Sequence, residues 1–284
     1  MIKEKFDTKE STLAVDINEA TQAVKDNRFK DALNLLEITL VDHPEHIDSL
    51  YLAGVCSRYL KNFDESKKYI ESLLIVAPDM ARAYQELGHL YKALGDDSSA
   101  IIKYRQACEL NPALLASWNS LNALYVKLNN KPAAEHAIEQ VNKLKSLPNN
   151  LLYIDQIMNE GRLGIAEKRC REFLKRNPTN TYAMSQLAEI ANRLGYFDDA
   201  ELLLEKAVEF NSNDGELRMK YAMVLRKKQN FKKTMEQVNI LCEQFPNNLI
   251  YQSQKASELM QNGNHDDAIN LLNDILKKKE FNFS

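Results

Sequence analysis

Pro44, Pro78 and Pro112 are evenly spaced, since 78 − 44 and 112 − 78 both give 34. Pro178 and Pro246 are separated by 246 − 178 = 68, twice that interval. A period of this length marks helical hairpins that cannot bury their apolar faces alone and must stack on their neighbours. The chain of 284 residues then becomes one unit repeated about eight times. An array of that kind offers an extended surface for binding and no deep cleft for chemistry. Its composition suits it: 44% of residues are hydrophobic and 27% charged, and eight glycines and seven prolines leave few irregular connections.

With the proline at position 32 of each unit, residues 81–114 form the third copy. It reads Tyr84-x2-Leu87-Gly88-x2-Tyr91, then Gly95, Ala100-x3-Tyr104-x2-Ala107 and Pro112. The apolar residues at positions 4, 7, 8 and 11 lie on one face of a first helix, A. Small residues at positions 8 and 20 let A approach the second helix, B. Position 15 is Gly95, Gly161, Gly195 or Gly263 in four units and Asn27 or Asn129 in two, residues that tolerate the left-handed conformation ending a helix. The pattern W-x2-L-G-x2-Y…A-x3-F…P resembles the tetratricopeptide repeat family, and the resemblance covers nearly the whole chain. It implies an all-α, right-handed superhelix of about eight helix-turn-helix units. The fourth unit supplies the aromatic as Trp118, and the others follow with less fidelity.

One place breaks step. Counting from Pro112, the next slot is Ser146, yet the next slot that a proline fills is Pro178, and 178 − 146 is only 32. Two residues are missing from the fifth unit, whose first helix near Leu151–Asn159 lacks the motif. The expected organisation is a charged tail over 1–12, units one to four over 13–146, and units five to eight over 147–282. A hinge near 147–160 and a shorter turn without consequence are both open.

Catalytic templates fail. The glycines belong to the repeat or its turns, so no GxxxxGK[ST] or GxGxxG is left to cradle a phosphate, and neither G-x-S-x-G nor HExxH occurs. Cys56, Cys108, Cys170 and Cys242 are scattered among apolar helix positions, as reduced structural thiols would be. His43 and His46 flank the Pro44 turn without a third ligand at useful spacing. We therefore expect no catalytic, cofactor or metal site. A net charge of −3, no run of about 18 apolar residues and no apolar stretch in MIKEKFDTKEST argue against nucleic acid, a membrane span and a signal peptide. A cytoplasmic protein is the expectation.

The resemblance also implies where a partner would lie, along an inner surface lined by positions 2, 5, 9, 12 and 13 of the A helices. On this chain those positions give Tyr51, Arg58, Arg82, Gln85, His89, Lys92, Asn119, Lys127, Arg193 and Arg226 as candidate contacts for a protein or peptide. The family's clamp for chaperone C-termini needs Lys at position 5 and Asn at position 9, which no unit has. The basic residues at positions 12 and 13 suggest a groove edge attracting an acidic peptide. Solvated helix ends, where cations favour the negative end of the helix dipole, are the competing reading.

From Trp118 onward the chain also resembles the repeat arm of bacterial sulfotransferases with N-terminal tetratricopeptide repeats. Ala188-Glu-Ile-Ala-Asn-Arg-Leu-Gly195, Asp199-Ala-Glu-Leu-Leu-Leu-Glu205 and Tyr221-Ala-Met-Val-Leu225 carry it. It implies a second functional reading, a partner- or substrate-recruiting arm whose catalytic domain would follow the repeats. The last unit shows Ile269, Leu272 and Leu276, with Phe281 and Phe283 beyond, and no capping helix. Either the tail folds back, or the chain associates end to end with a second copy, or the repeats belong to a longer protein, which fits the sulfotransferase reading.

Overall fold

The computed structural model describes residues 17–281, with side chains through 277. The charged segment 1–12 and the side chains of Phe281 and Phe283 lie outside the described residues. Among those residues are sixteen helices and no strand. They run α1 (17–25), α2 (Phe29–Asp42), α3 (Ile47–Tyr59), α4 (Phe63–Val76), α5 (Ala81–Ala93), α6 (Asp97–Leu110), α7 (Leu115–Lys127) and α8 (Lys131–Lys145). Then follow α9 (Asn149–Asn159), α10 (Leu163–Arg176), α11 (Thr181–Arg193), α12 (Phe197–Phe210), α13 (Gly215–Lys227), α14 (Phe231–Gln244), α15 (Leu249–Gln261) and α16 (His265–Phe281). Odd-numbered helices are the A helices and even-numbered ones the B helices of eight hairpins.

The turn inside each hairpin is the same object eight times. Position 15 has a positive φ in every case: Asn27, Lys61, Gly95, Asn129, Gly161, Gly195, Gln229 and Gly263. The following N–H reaches back to the carbonyl at position 11, as in Asp96 to Tyr91 at 2.9 Å and Asn230 to Leu225 at 3.0 Å. The N–H of position 15 itself donates to position 12, as in Lys61 to Arg58 at 3.0 Å. These two bonds satisfy orphan carbonyls of helix A and reverse the chain in a tight turn. Six of the eight turns use the Gly or Asn that the sequence predicts. Lys61 and Gln229 take the same conformation without a residue suited to it.

Close approach of A to B is also built in. All eight residues at position 20 are buried, from Ala32 and Ser66 through Ala100 and Ala200 to Thr234 and Ala268. A Cβ on Gly54 would sit 2.4 Å from the Ile70 Cδ1, and one on Gly88 would sit 2.6 Å from the Tyr104 ring. Short polar side chains start several helices by accepting an N–H, including Asp96 from Ser99 at 3.0 Å and Asn180 from Ala183 at 2.8 Å. His46 does the same for α3, its Nδ1 accepting from the Ser49 N–H at 3.2 Å. That fixes the role of one of the two turn histidines.

The two missing residues fall in one element. Helix α9 is 11 residues long, whereas α3, α5, α7, α11, α13 and α15 each have 13. The first residues of α8 and α10 accordingly differ by 163 − 131 = 32, two short of the period. Pro148 stands immediately before α9, where its missing N–H and fixed φ suit a helix start.

The described residues divide into two compact units, and the chain passes from the first to the second between Pro148 and Asn149. The first holds α1–α8 around cores such as Leu50, Ile70, Leu73, Leu87 and Leu90, and Tyr104, Leu121, Leu124 and Ala137. The second holds α9–α16, with Ile154, Ile157, Cys170 and Leu187 in one core and Leu204, Leu217, Tyr221 and Leu225 in the next. Each is an all-α stack of helical hairpins.

Candidate functional site

Within each unit, consecutive A helices are bridged by polar side chains along the surface where a partner would lie. In the first unit Arg58 on α3 pairs with Glu86 on α5, and the Ser117 Oγ on α7 donates to the Gln85 Oε1 at 2.9 Å. In the second, Gln186 on α11 donates to the Leu151 carbonyl of α9 at 3.0 Å and to Asp155, which also accepts from the Tyr182 hydroxyl. The Lys220 Nζ donates to the Ser185 Oγ at 3.2 Å, and the Lys227 Nζ to the Asn192 Oδ1 at 2.9 Å. The Arg193 Nη1 donates to the Met158 carbonyl at 3.2 Å, satisfying a C-terminal carbonyl of α9. Arg226 on α13 lies 3.3 Å from the buried Glu258 on α15.

This arrangement corrects the reading of the basic row as a free groove edge for an acidic peptide. Arg58, Arg193 and Arg226 tie one A helix to another, and Lys127 pairs with Asp97 at the start of α6. The three arginines are therefore not an open electrostatic edge, whereas Lys92 and Lys127 stay exposed at their helix ends. Burial pushes the Glu86 carboxyl above its usual range, and Arg58 beside it offsets part of that. His89 has likewise turned away from a partner: the Tyr104 hydroxyl lies 2.6 Å from its Nδ1, and burial lowers its pKa to about 4. Tyr51 is half-buried against the α3–α4–α5 core, and Arg82 is half-buried. Of the ten predicted contacts, Lys92 and Asn119 remain exposed without a hydrogen bond or ion pair among the described residues.

A feature missed in the sequence lies in the second unit. A cleft of about 60 Å³ opens between α11, α12 and α13. Ala188, Leu204 and Val224 form its buried floor, and Lys220, Met223 and Lys227 stand at its mouth. Met223 is 54% exposed, an apolar side chain held at position 9. The signal was legible only as a Met where other units carry small or polar residues.

The buried thiols are poorly set for reaction. Burial pushes Cys108 and Cys170 up to about 12 and Cys56 to about 11, so all three stay protonated and weakly nucleophilic. Among the described residues no three His, Cys, Asp or Glu side chains are grouped to hold a metal ion, and no helix is long and apolar enough to cross a membrane. Helix α16 leaves Ile269, Leu272 and Leu276 exposed.

A curated relative, BBSome complex member bbs-4 of Caenorhabditis elegans, is 23% identical over 245 residues, covering 84% of this chain and 49% of that protein. The chain thus spans about half the length of the curated relative it matches. Among solved structures, a tetratricopeptide repeat protein from Parabacteroides merdae is 14% identical with a TM-score of 0.43, covering 88% of this chain and 99% of that one. The structure of Naa15/Naa10 bound to HypK-THB is 17% identical with a TM-score of 0.43, covering 87% and 39%. The sulfotransferase resemblance finds no support in these comparisons. The family model for the tetratricopeptide repeat matches residues 81–114, the third hairpin. With hairpins of the same design before and after it, the chain is an α-helical repeat protein carrying a tetratricopeptide repeat at its best-formed unit.

Proposed function

We propose that the chain is a protein-interaction scaffold that holds a segment of a partner against the inner faces of its A helices. The observation that carries this reading is the cleft between α11 and α13. An exposed methionine over an apolar floor suits an apolar partner side chain. The polar bridges between A helices support it in a second way. They hold the surface in one shape before a partner arrives, so less conformational freedom is lost on binding. The match of residues 81–114 to a repeat used for protein binding points the same way. A reducing compartment, the cytoplasm, belongs to this proposal on the strength of the free thiols.

The test uses the 284-residue chain as bait and then purified partner. Met223→Glu puts a charge over the apolar floor and should weaken the partner at least about tenfold, one buried anchor's worth. Leu202→Glu, at an exposed site on α12, should leave it unchanged. Equal capture and equal affinity for wild type and Met223→Glu would refute the cleft as the anchor.

A further inference from the structure

Position 4 of helix A behaves consistently in all but one of the hairpins where it is described. Leu50, Tyr84, Trp118, Met184, Arg218 and Gln252 are all buried or half-buried there. Several of them meet helix B of their own hairpin. The Lys103 ammonium lies 5.5 Å from the Tyr84 ring centre, the Arg218 Nη1 donates to the Gln237 Oε1 at 2.7 Å, and Trp118 meets the His136 ring edge-on at 5.5 Å. The fifth hairpin departs from the rule. Its position 4 is Asn150, exposed, on the first turn of the shortened α9.

The gap this leaves is a cavity of about 360 Å³ between α9 and α10, within the second unit. Tyr153, Ile154 and Phe173 give it apolar walls, and Arg169 and Arg176 supply guanidinium groups. The Arg169 guanidinium is set 5.2 Å over the Tyr153 ring. Neither arginine has an ion-pair partner among the described residues. Glu172 shares the rim, so two cations and one anion leave the cavity with a net positive charge. The rest of α10 adds to it: Lys168, Arg171 and Lys175 against Glu167 give a further 3 − 1 = +2.

We infer that this cavity is a second binding site, which takes a carboxylate-bearing side chain from an acidic segment of a protein partner. The acid lies between Arg169 and Arg176, and its stem covers Tyr153 and Phe173. A planar guanidinium fork suits a carboxylate, and stacking on tyrosine fixes one fork before binding. The volume is at the small end of ligand sites, enough for a short stretch of side chains. A repeat that breaks its own packing rule at one copy, and leaves cations around the break, does what functional sites do to otherwise consistent sequences. No lining residue occupies an inner-surface position, so this site is separate from the cleft at Met223.

The experiment titrates the 284-residue chain into a fluorescein-labelled tetraglutamate peptide and reads anisotropy at low and moderate salt. Saturable binding that weakens with salt is expected. Arg169→Gln with Arg176→Gln should reduce it at least about tenfold, the loss of charge-assisted hydrogen bonds. Asn150→Tyr should abolish it by a different route, because it fills the gap as Tyr84 does in the third hairpin while keeping both arginines. Lys206→Gln on α12 should change it by less than about twofold. Binding within about twofold of wild type in both the double variant and Asn150→Tyr would overturn the assignment. So would citrate binding as tightly as the peptide in calorimetry, since the site would then serve a free anion.

Discussion

Neutral His89 should make the first unit lose stability in mild acid, and the size of the loss can be worked from its surroundings. The side chain is packed beside Tyr104, ring centres 5.3 Å apart, with the Tyr104 hydroxyl 2.6 Å from Nδ1. Burial, with the charges of Arg58 and Lys92 adding to it, lowers its pKa from 6.5 to about 4. The unfolded chain begins to bind this proton near pH 6.5 and the folded chain only near pH 4. Stability is therefore complete above pH 6.5 and falls as the pH drops toward 4. At pH 5 the linkage factor is on the order of 30, about 2 kcal/mol. The assay is urea unfolding at pH 7.5 and pH 5, followed by fluorescence of Trp118, the single tryptophan, which lies in the same unit. Comparing wild type with His89→Gln removes the contribution of every other titrating group. The wild type should lose about 2 kcal/mol more than the variant between the two pH values. A difference below about 0.5 kcal/mol would show that His89 titrates in the folded chain as it does in the unfolded one, and the argument from burial would fail.

Lys61→Gly and Gln229→Gly should each stabilise the chain by about 0.5–1 kcal/mol, read by urea unfolding. The left-handed conformation costs a non-glycine residue about 1–2 kcal/mol, and glycine's greater freedom in the unfolded chain returns part of that. The Arg58–Glu86 pair should behave as a unit. Arg58→Met alone leaves a buried carboxyl unpaired and should cost about 3–5 kcal/mol, whereas adding Glu86→Leu should bring stability back to within about 1 kcal/mol. A double-mutant cycle with no coupling would place the ionic bond outside the stability of the seam. Ala100→Leu, at a fully buried contact between α5 and α6, should cost about 1–3 kcal/mol, and an unchanged melting temperature would mean that the register is misplaced.

The proline spacing made the hairpins legible because the length of a hairpin is a property of the chain itself. Once Pro44, Pro78 and Pro112 set the register, position 20 had to be small and position 15 had to reverse the chain. The register also located the missing residues in the fifth unit, where α9 is short. Chemistry at single residues was less readable. Nothing about Lys61 or Gln229 suggests a positive φ, and only the register forces it on them. The basic row was visible, but its partners were not. Arg58 reaches forward to Glu86 and Arg226 to Glu258, sequence separations of 86 − 58 = 28 and 258 − 226 = 32 that differ from each other and from the period. Other bridges do keep the register, position 6 to position 5 of the preceding A helix in Gln186–Leu151 and Lys220–Ser185 and position 13 to position 12 in Arg193–Met158 and Lys227–Asn192, but the acceptor changes between backbone and side chain, which hides the rule in the sequence. The cavity at Asn150 was only partly legible: position 4 carries Leu, Tyr, Trp, Met, Arg or Gln in six other units, but Asp16 in the first shows that a small polar residue there is not by itself a signal.

The polar seam decides which residues are left to choose a partner. A buried or half-buried side chain that bridges two A helices cannot be exchanged without destabilising the stack, since removing one member strands the other. Glu86, Asp155, Gln186 and Glu258 are held in that way, and all four are buried. Their presence on the inner side therefore says little about what binds there. Discrimination falls to positions that project without a structural task, such as Lys92, Asn119 and Met223, and to the gap where position 4 is too short. Substitutions at the first class should lower stability and binding together, whereas those at the second should change binding with the fold intact. Measuring both quantities on Gln186→Leu and on Met223→Glu separates the two, and a Gln186→Leu protein that kept its stability but lost its partner would reverse the assignment.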